Sequence, residues 1–228
     1  MTLVNLKKDL QGLSNPDKIK ILSNFFKTGP GQYGENDKFL GITVPNQRKI
    51  AQKYANLNLK EIKTLLNSQI HEHRLTSLLI LVHQYQNSPD TIYKFYINNS
   101  KNINNWDLVD LTAPKIVGNY LLNKDKSVLY KLAKSKNLWE RRIAIVATYE
   151  FIKNNKFNDT LKISEILLKD KHDLIHKAVG WMLREVGKKD QKTLENFLKK
   201  YHKTMPRTML RYAIEKFEEK KKEVYMKK

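Results

Sequence analysis

Cysteine is absent from the 228 residues, which excludes disulfide scaffolds, thiolate nucleophiles, cysteinyl zinc sites and iron–sulfur clusters. Long apolar runs are also missing. No stretch approaches the roughly 20 residues a membrane-spanning helix needs, and the start, Met1-Thr2-Leu3-Val4-Asn5-Leu6-Lys7-Lys8, has no signal-peptide apolar region. A cytoplasmic location without a membrane partner is the expectation. Glycine is scarce and gathers in one stretch, Gly29-Pro30-Gly31-Gln32-Tyr33-Gly34-Glu35-Asn36-Asp37, followed by Phe39-Leu40-Gly41-Ile42-Thr43-Val44-Pro45. No Gly-Lys-Ser/Thr closes those glycines and no strand precedes them, so the segment reads as an ordered loop between helices and not as a phosphate-binding P-loop. No nucleotide cofactor is expected. Acidic residues are in deficit, 23 against 43 Lys and Arg, and the formal charge of +20 exceeds what solubility asks for. It points to a polyanionic partner, with DNA, RNA and anionic membrane all open at this level.

Sustained alternation of apolar and polar residues is missing as well, whereas apolar residues recur at i, i+3, i+4 and i+7 up to about residue 220. The fold expected is all-α. Helical segments beginning near His71, Asn105, Leu138, Lys171 and Pro206 return every 33 to 35 residues, with room for a shorter helix between each pair. That is the spacing of a HEAT-like helical-hairpin repeat solenoid, in which equivalent helices line a concave, here cationic, face. Turn residues fall between the helical runs at Asn87-Ser88-Pro89-Asp90, Asn123-Lys124-Asp125, Asn154-Asn155-Lys156 and Thr204-Met205-Pro206. The organisation expected is one repeat domain over residues 1–220 and a frayed, solvated basic tail over 221–228, with Lys220-Lys221-Lys222 and Lys227-Lys228 adding nonspecific phosphate attraction.

All three tryptophans, Trp106, Trp139 and Trp181, fall in consecutive members of the repeated series. On a helix Trp106 and Asp110 project from one face a turn apart, and so do Trp139 with Arg142 and Trp181 with Arg184. Spacing alone leaves two readings open: the tryptophans as core, with Asp107 or Asp110 a solvated charge or cap, or the same residues as a site. Arg141 and Arg142 are likewise open to pairing with Glu140 or Glu150 as surface charge. The residue types do match one reaction. A purine alkylated at N7 or N3 is already cationic, so its departure needs no general acid. What remains is an oxocarbenium-like sugar, which one carboxylate, Asp110, is suited to stabilise while it positions water. Indole faces attract cations, which suits Trp106 and Trp181 to the lesion nucleotide, and the fork of Arg142 suits a neighbouring phosphate. His71 and His73, two residues apart, face different sides of a helix and cannot jointly hold a metal; no metal and no other cofactor is expected. Nothing resembles a nucleophilic triad or a singled-out Schiff-base lysine.

The chain resembles the AlkD-type DNA alkylation repair proteins, HEAT-like repeat glycosylases acting on 3-methyladenine and 7-methylguanine. The resemblance is carried by Phe26-Lys27-Thr28-Gly29-Pro30-Gly31-Gln32-Tyr33-Gly34, Phe39-Leu40-Gly41-Ile42, Val44-Pro45 and Glu72-His73-Arg74. It continues through Asn105-Trp106-Asp107-Leu108-Val109-Asp110, Trp139-Glu140-Arg141-Arg142, Gly180-Trp181-Met182-Leu183-Arg184-Glu185 and Pro206-Arg207-Thr208-Met209-Leu210-Arg211-Tyr212-Ala213. It implies that Asp110 is the catalytic carboxylate, that Trp106 and Trp181 contact the lesion-bearing backbone, and that Arg142 binds phosphate. Arg184 would contact the DNA backbone; Arg141 is carried beside it as a candidate DNA contact, with the ion-pair reading open. It also implies a shallow groove instead of a deep base pocket. The partner implied is double-stranded DNA containing alkylated purines; a monomer is the simpler expectation for a protein that wraps a duplex, and the lack of a singled-out Schiff-base lysine favours cleavage of the glycosidic bond alone. Two alternatives are a noncatalytic binder of branched or distorted DNA, against which the retained Asp110 and tryptophans argue, and a protein adaptor, which the charge disfavours.

Overall fold

The structure is a computed structural model that describes residues 1–227. It is all-α: no strand occurs among the described residues, and the single isolated bridge joins Lys38 to Ile70. The chain divides into two compact units, Met1–Thr112 and one that begins at Ala113.

The first unit holds α1 (Leu3–Gly12), α2 (Pro16–Phe25), α3 (Val44–Lys53), α4 (Leu59–Leu66), α5 (His71–Gln84), α6 (Pro89–Asn98), a 3-10 turn (Ser100–Asn102) and α7 (Trp106–Ala113), whose last residue opens the second unit. Local chemistry sets the starts. Asn15 caps α2, with Pro16 in the first turn where a missing N–H costs nothing. Asn58 and Glu61 form a reciprocal capping box on α4, and Pro89 opens α6. The core is built from Leu6, Leu10, Ile50, Ile62, Leu65, Leu78, Leu81 and Tyr96, all buried. α5 runs through the middle of this core: every residue from His71 to Leu81 is buried. Its polar first turn therefore needs partners.

The second unit holds a π-helical turn (Pro114–Gly118), α8 (Asn119–Leu121), α9 (Ser127–Ala133), α10 (Leu138–Ala147), α11 (Tyr149–Lys153) and α12 (Asn158–Ile166). After the 3-10 turn Leu167–Lys169 come α13 (Asp173–Lys189), α14 (Gln191–Tyr201), α15 (Arg207–Ala213) and α16 (Glu219–Met226). α13 and α15 approach closely because residue 180 is glycine: a Cβ there would stand 2.5 Å from both the Met209 carbonyl oxygen and the Tyr212 Cβ.

The expected repeat starts at His71, Asn105, Leu138, Lys171 and Pro206 coincide to within two residues with those of α5, α7, α10, α13 and α15. Three of the four turn segments fall between helices as expected, and the fourth, Asn87-Ser88-Pro89-Asp90, spans the start of α6. Three of these helices begin on one shared device. The Ile70 N–H donates to Ser68 Oγ (3.1 Å), Asn137 N–H to Ser135 Oγ (3.0 Å) and His172 N–H to Asp170 Oδ1 (2.8 Å). Six residues past each acceptor, Arg74, Arg141 and His176 reach back to the carbonyls of Ser68 (2.9 Å), Ser135 (3.0 Å) and Asp170 (2.5 Å). Backbone polar groups at the turn before each helix are thus satisfied from within seven residues.

The C-terminal segment departs from the expected frayed tail. Lys220, Lys221 and Lys222 lie in α16, whose Lys221 pairs with Glu195 and whose Met226 carbonyl accepts from Arg207 Nη2 (3.0 Å). Charge density alone concealed that docking: a lysine run reads as solvated unless its acidic partner, here 26 residues away, is known. Lys228 lies outside the described residues.

Candidate functional site

α7 begins at Trp106, whose N–H donates to the Asn105 side chain (2.8 Å). That start fixes what the helix presents. Trp106 and Asp110, four residues apart, are both half-buried and line one cavity of about 480 Å³. The expected one-face relation is realised. The other walls are Leu22, Phe25 and Phe26 from the end of α2, Phe39 and Ile42 from the segment before α3, and His71 and Leu75 from α5. The aromatic side chains pack as a column. Trp106 stacks on Phe26 (5.2 Å, 17°), Phe26 on Phe39 (5.2 Å, 22°), and Phe39 on the His71 ring (4.8 Å, 22°), while Phe25 stands edge-on to Trp106 (5.7 Å, 76°). Offset and edge-to-face arrangements of this kind add to what area burial alone contributes.

Beneath the cavity lies a buried polar network that residue spacing did not disclose. Asp107 is only 5% exposed, so it is not the solvated charge that spacing left open; its Oδ1 accepts from the Leu108 N–H in the first turn of α7 (2.9 Å), in keeping with the cap alternative. His71 bridges two carboxylates, donating from Nε2 to Asp107 (2.8 Å) and from Nδ1 to Asp37 (3.4 Å). Asp37 also accepts from Arg74 Nη2 (2.6 Å) and Asn105 Nδ2 (3.2 Å). Burial pulls the His71 imidazolium down, but the charge and hydrogen bond of Asp107, with the bond to Asp37, outweigh it and raise the pKa to about 9. For Asp37 burial pushes upward, and His71 and Arg74 overcome it, holding the carboxyl below its ordinary range. His73 goes the other way: burial, then the Lys7 and Arg74 charges, press it down to about 4, and its neutral Nδ1 lies 3.0 Å from Ser68 Oγ. The two histidines do point apart, as their spacing required. Among the described residues no group of three metal-ligating side chains forms.

Glu72 anchors the loop that walls the cavity. Its buried carboxylate accepts from the amides of Leu40 (2.9 Å), Gly41 (2.9 Å) and Ile42 (3.2 Å). Gly41 sits at φ +80°, and a Cβ there would lie 2.2 Å from the Asn15 carbonyl oxygen; only glycine fits. The signal for Glu72 was present in the Glu72-His73-Arg74 motif, but nothing in the sequence named the three amides some thirty residues earlier.

The other candidate residues belong to the second unit. Arg142, on α10, is 5% exposed and donates from Nη1 to the Leu174 carbonyl in the first turn of α13 (2.5 Å). Arg141 donates from Nε to Asp170 (2.6 Å) and from Nη1 to the carbonyls of Ser135 and Lys136 (both 3.0 Å). That is the ion-pair alternative left open for it, with Asp170 in place of Glu140 or Glu150. Trp139 is buried core, whereas Trp181 on α13 stays half-buried with its ring 5.9 Å from Tyr149. Arg184 pairs with Glu185 (3.1 Å) and Glu215.

Comparison with known proteins agrees with this architecture. The model of the family described as "DNA alkylation repair enzyme" matches residues 6–217. No curated protein matches the chain in sequence. Among solved structures the fold is similar to a protein of Enterococcus faecalis described as "Predicted DNA alkylation repair enzyme", with TM-score 0.72, 16% identity, and coverage of 90% of this chain and 97% of that one. It is also similar to AlkD2 from Streptococcus mutans, with TM-score 0.58, 19% identity, and coverage of 78% and 91%.

Proposed function

Because the chain belongs to the DNA alkylation repair enzyme family, we propose that it is a monofunctional DNA glycosylase that hydrolyses the glycosidic bond of cationic N3- or N7-alkylated purines in duplex DNA. The observation that carries this reading is the shared wall of Trp106 and Asp110 in the aromatic cavity of the first unit. An alkylated purine leaves as a neutral base, so no proton has to be supplied to it. Charge develops instead on the sugar, and a carboxylate at a largely apolar wall stabilises that charge more strongly than one in water does. In this reading Asp110 faces the oxocarbenium-like carbon, orients the attacking water and takes its proton. The bond formed is sugar C1′ to water oxygen; the bond broken is C1′ to the purine nitrogen, whose electron pair cancels the base's positive charge.

The remaining assignments follow from charge and restraint. Trp106 and Trp181 present indole to the lesion-bearing backbone and favour a cationic neighbour. Arg142, fixed by its bond to the Leu174 carbonyl, is assigned to a phosphate beside the lesion; a pre-positioned guanidinium loses little rotamer freedom on binding. Arg184 is assigned to a backbone phosphate that exchanges with Glu215, whose side chain is nearly half exposed. The excess of 43 basic over 23 acidic residues supplies the nonspecific attraction to duplex DNA.

Release of free 7-methylguanine from methylated duplex tests the reading. Wild type releases base, and Asp110→Asn keeps duplex binding but releases it slower by a factor of about 100 to 1,000, the scale for one preorganised electrostatic group. Equal rates remove Asp110 from the chemistry. Duplex binding with no release by either protein supports instead a noncatalytic binder of distorted DNA.

A further inference from the structure

The glycine-rich segment delivers one carboxylate, Asp37, to the interior of the first unit. Gly34 N–H donates to the Lys27 carbonyl (3.1 Å), and a Cβ on Gly34 would lie 2.3 Å from the Phe26 carbonyl oxygen, so the segment folds directly against the end of α2. Asn36 follows at φ +71°, a left-handed conformation that asparagine enters more readily than most residues. The Asp37 N–H then donates to the Gly34 carbonyl (3.0 Å), Lys38 N–H to the Gln69 carbonyl (3.0 Å) and His71 N–H to the Lys38 carbonyl (2.8 Å). These bonds lay Asp37 across the start of α5, with its side chain 8% exposed.

One oxygen of Asp37, Oδ2, is tied to both chain neighbours of Trp106. It accepts directly from Asn105 Nδ2 (3.2 Å), and Asn105 Oδ1 accepts from the Trp106 N–H (2.8 Å). It also accepts from His71 Nδ1 (3.4 Å), and the opposite ring nitrogen, Nε2, donates on to Asp107 Oδ2 (2.8 Å). The third donor is Arg74 Nη2 (2.6 Å), whose Nη1 is held by the Ser68 carbonyl (2.9 Å). The His71 ring has little room to turn away, because it stacks on Phe39 (4.8 Å, 22°) and lies tilted against Phe26 (4.7 Å, 40°).

We infer that Asp37 is a positioning residue that fixes the first turn of α7 from both sides of Trp106, directly through Asn105 and through His71 to Asp107, so that the indole and the Asp110 carboxylate keep their places at the cavity wall. The inference rests on the glycosylase reading above. Asp37 touches no reacting atom in that reading; it acts by restraint, and a misplacement of about 1 Å at a reacting group costs on the order of 100-fold in rate. The relay needs the ring proton, since an imidazole donates from both nitrogens only as the cation. The charged groups that face the ring are Asp37 and Asp107, bonded to it, Arg74 on its own helix, and Glu72, Asp110 and Lys18, which line the same cavity.

Single-turnover release of 7-methylguanine at saturating protein tests the clamp. Asp37→Asn, which keeps an acceptor for Asn105 but no charge for His71, binds methylated duplex within about threefold of wild type and releases base slower by about 10- to 100-fold. Wild-type release falls as His71 loses its proton near pH 9. In Asp37→Asn the fall comes at lower pH, because one of the two anions bonded to the ring is gone, so the ratio of wild-type to variant rate grows several-fold between about pH 7 and pH 9. Against His71→Gln, which donates to Asp107 at every pH, the ratio shrinks over the same range. Substrate ionisation cancels in both ratios, and a merely structural Asp37 leaves them constant. Constant ratios overturn the clamp, as does release at the wild-type rate by Asp37→Asn, and both leave the glycosylase reading standing; if Asp37→Asn does not fold, the ratio to His71→Gln decides alone. If wild type releases no base, the glycosylase reading fails and amide exchange judges the clamp: faster exchange over residues 106–110 in Asp37→Asn, with α14 unchanged, upholds it, and equal exchange overturns it.

Discussion

Raising the pH should loosen the first unit through one residue, His71. Its pKa of about 9, against 6.5 for an ordinary histidine, means that the folded protein holds a proton the unfolded chain releases near neutrality. The stabilisation is complete below pH 6.5 and is lost as pH rises through 9. Applying the linkage relation to those two values gives a loss of about 2.5 kcal/mol between pH 7 and pH 10. His73 contributes almost nothing in that window, because its pKa of about 4 leaves it neutral when folded and it is nearly neutral when unfolded. Many lysines and tyrosines titrate at the alkaline end, so the comparison has to be differential. His71→Gln keeps a neutral donor towards Asp107 and removes the titration. Urea unfolding of both proteins, at half-unit steps from pH 7 to pH 10, should show the variant less stable at pH 7 and the gap narrowing by about 2.5 kcal/mol by pH 10. A gap that stays constant to within about 0.5 kcal/mol refutes the assignment of a charged His71 between Asp107 and Asp37.

Two further outcomes follow from packing and hydrogen bonding. Glu72→Gln places an amide N–H₂ opposite the Leu40 N–H and weakens the bonds to Gly41 and Ile42, so stability measured by urea midpoint should fall by about 2–4 kcal/mol; a change below about 0.5 kcal/mol contradicts the three-amide clasp. Gly180→Ala should destabilise by about 1–3 kcal/mol, although helix propensity alone predicts a gain of about 0.5–1 kcal/mol, because its Cβ meets the Met209 carbonyl and Tyr212. Gly12→Ala, with nothing within 4 Å of its Cβ, supplies the control and should be neutral or stabilising. Equal effects at the two glycines in thermal melts remove close α13–α15 packing as the reason for Gly180.

Helix starts were legible because their determinants are local. Ser88-Pro89 falls in one of the turn segments read from sequence, and the repeat spacing placed α5, α7, α10, α13 and α15 to within two residues; Asn15-Pro16 and the Asn58/Glu61 pair act within four residues as well, though the sequence reading did not single them out. Trp106 and Asp110 meeting at one wall followed from the same 3.6-residue geometry. What stayed hidden is non-local. His71 finds Asp107 and Asp37 across 36 and 34 residues, Glu72 finds its amides across about thirty, and Arg141 finds Asp170 across 29. Among these, Asp107 and Arg141 are open to a reading as surface charge from sequence alone, because Asp and Arg favour the surface. The buried run of α5 from His71 to Leu81 makes His71, Glu72 and Arg74 interior groups that must be paired. Adjacent aromatic residues also differ in a way sequence does not show: of Phe25 and Phe26 only Phe26 is buried.

The turn shared by α5, α10 and α13 bears on how such a chain can change over generations. The acceptor, the amide two residues on and the donor six residues on all sit within one short stretch, so copying a hairpin copies its own punctuation. The device is also indifferent to spelling. Ser68 and Ser135 are replaced by Asp170, and Arg74 and Arg141 by His176, because any short oxygen acceptor and any long nitrogen donor will serve. A hairpin array written this way can drift far in residue identity, gain or lose a member, and still start its helices in register.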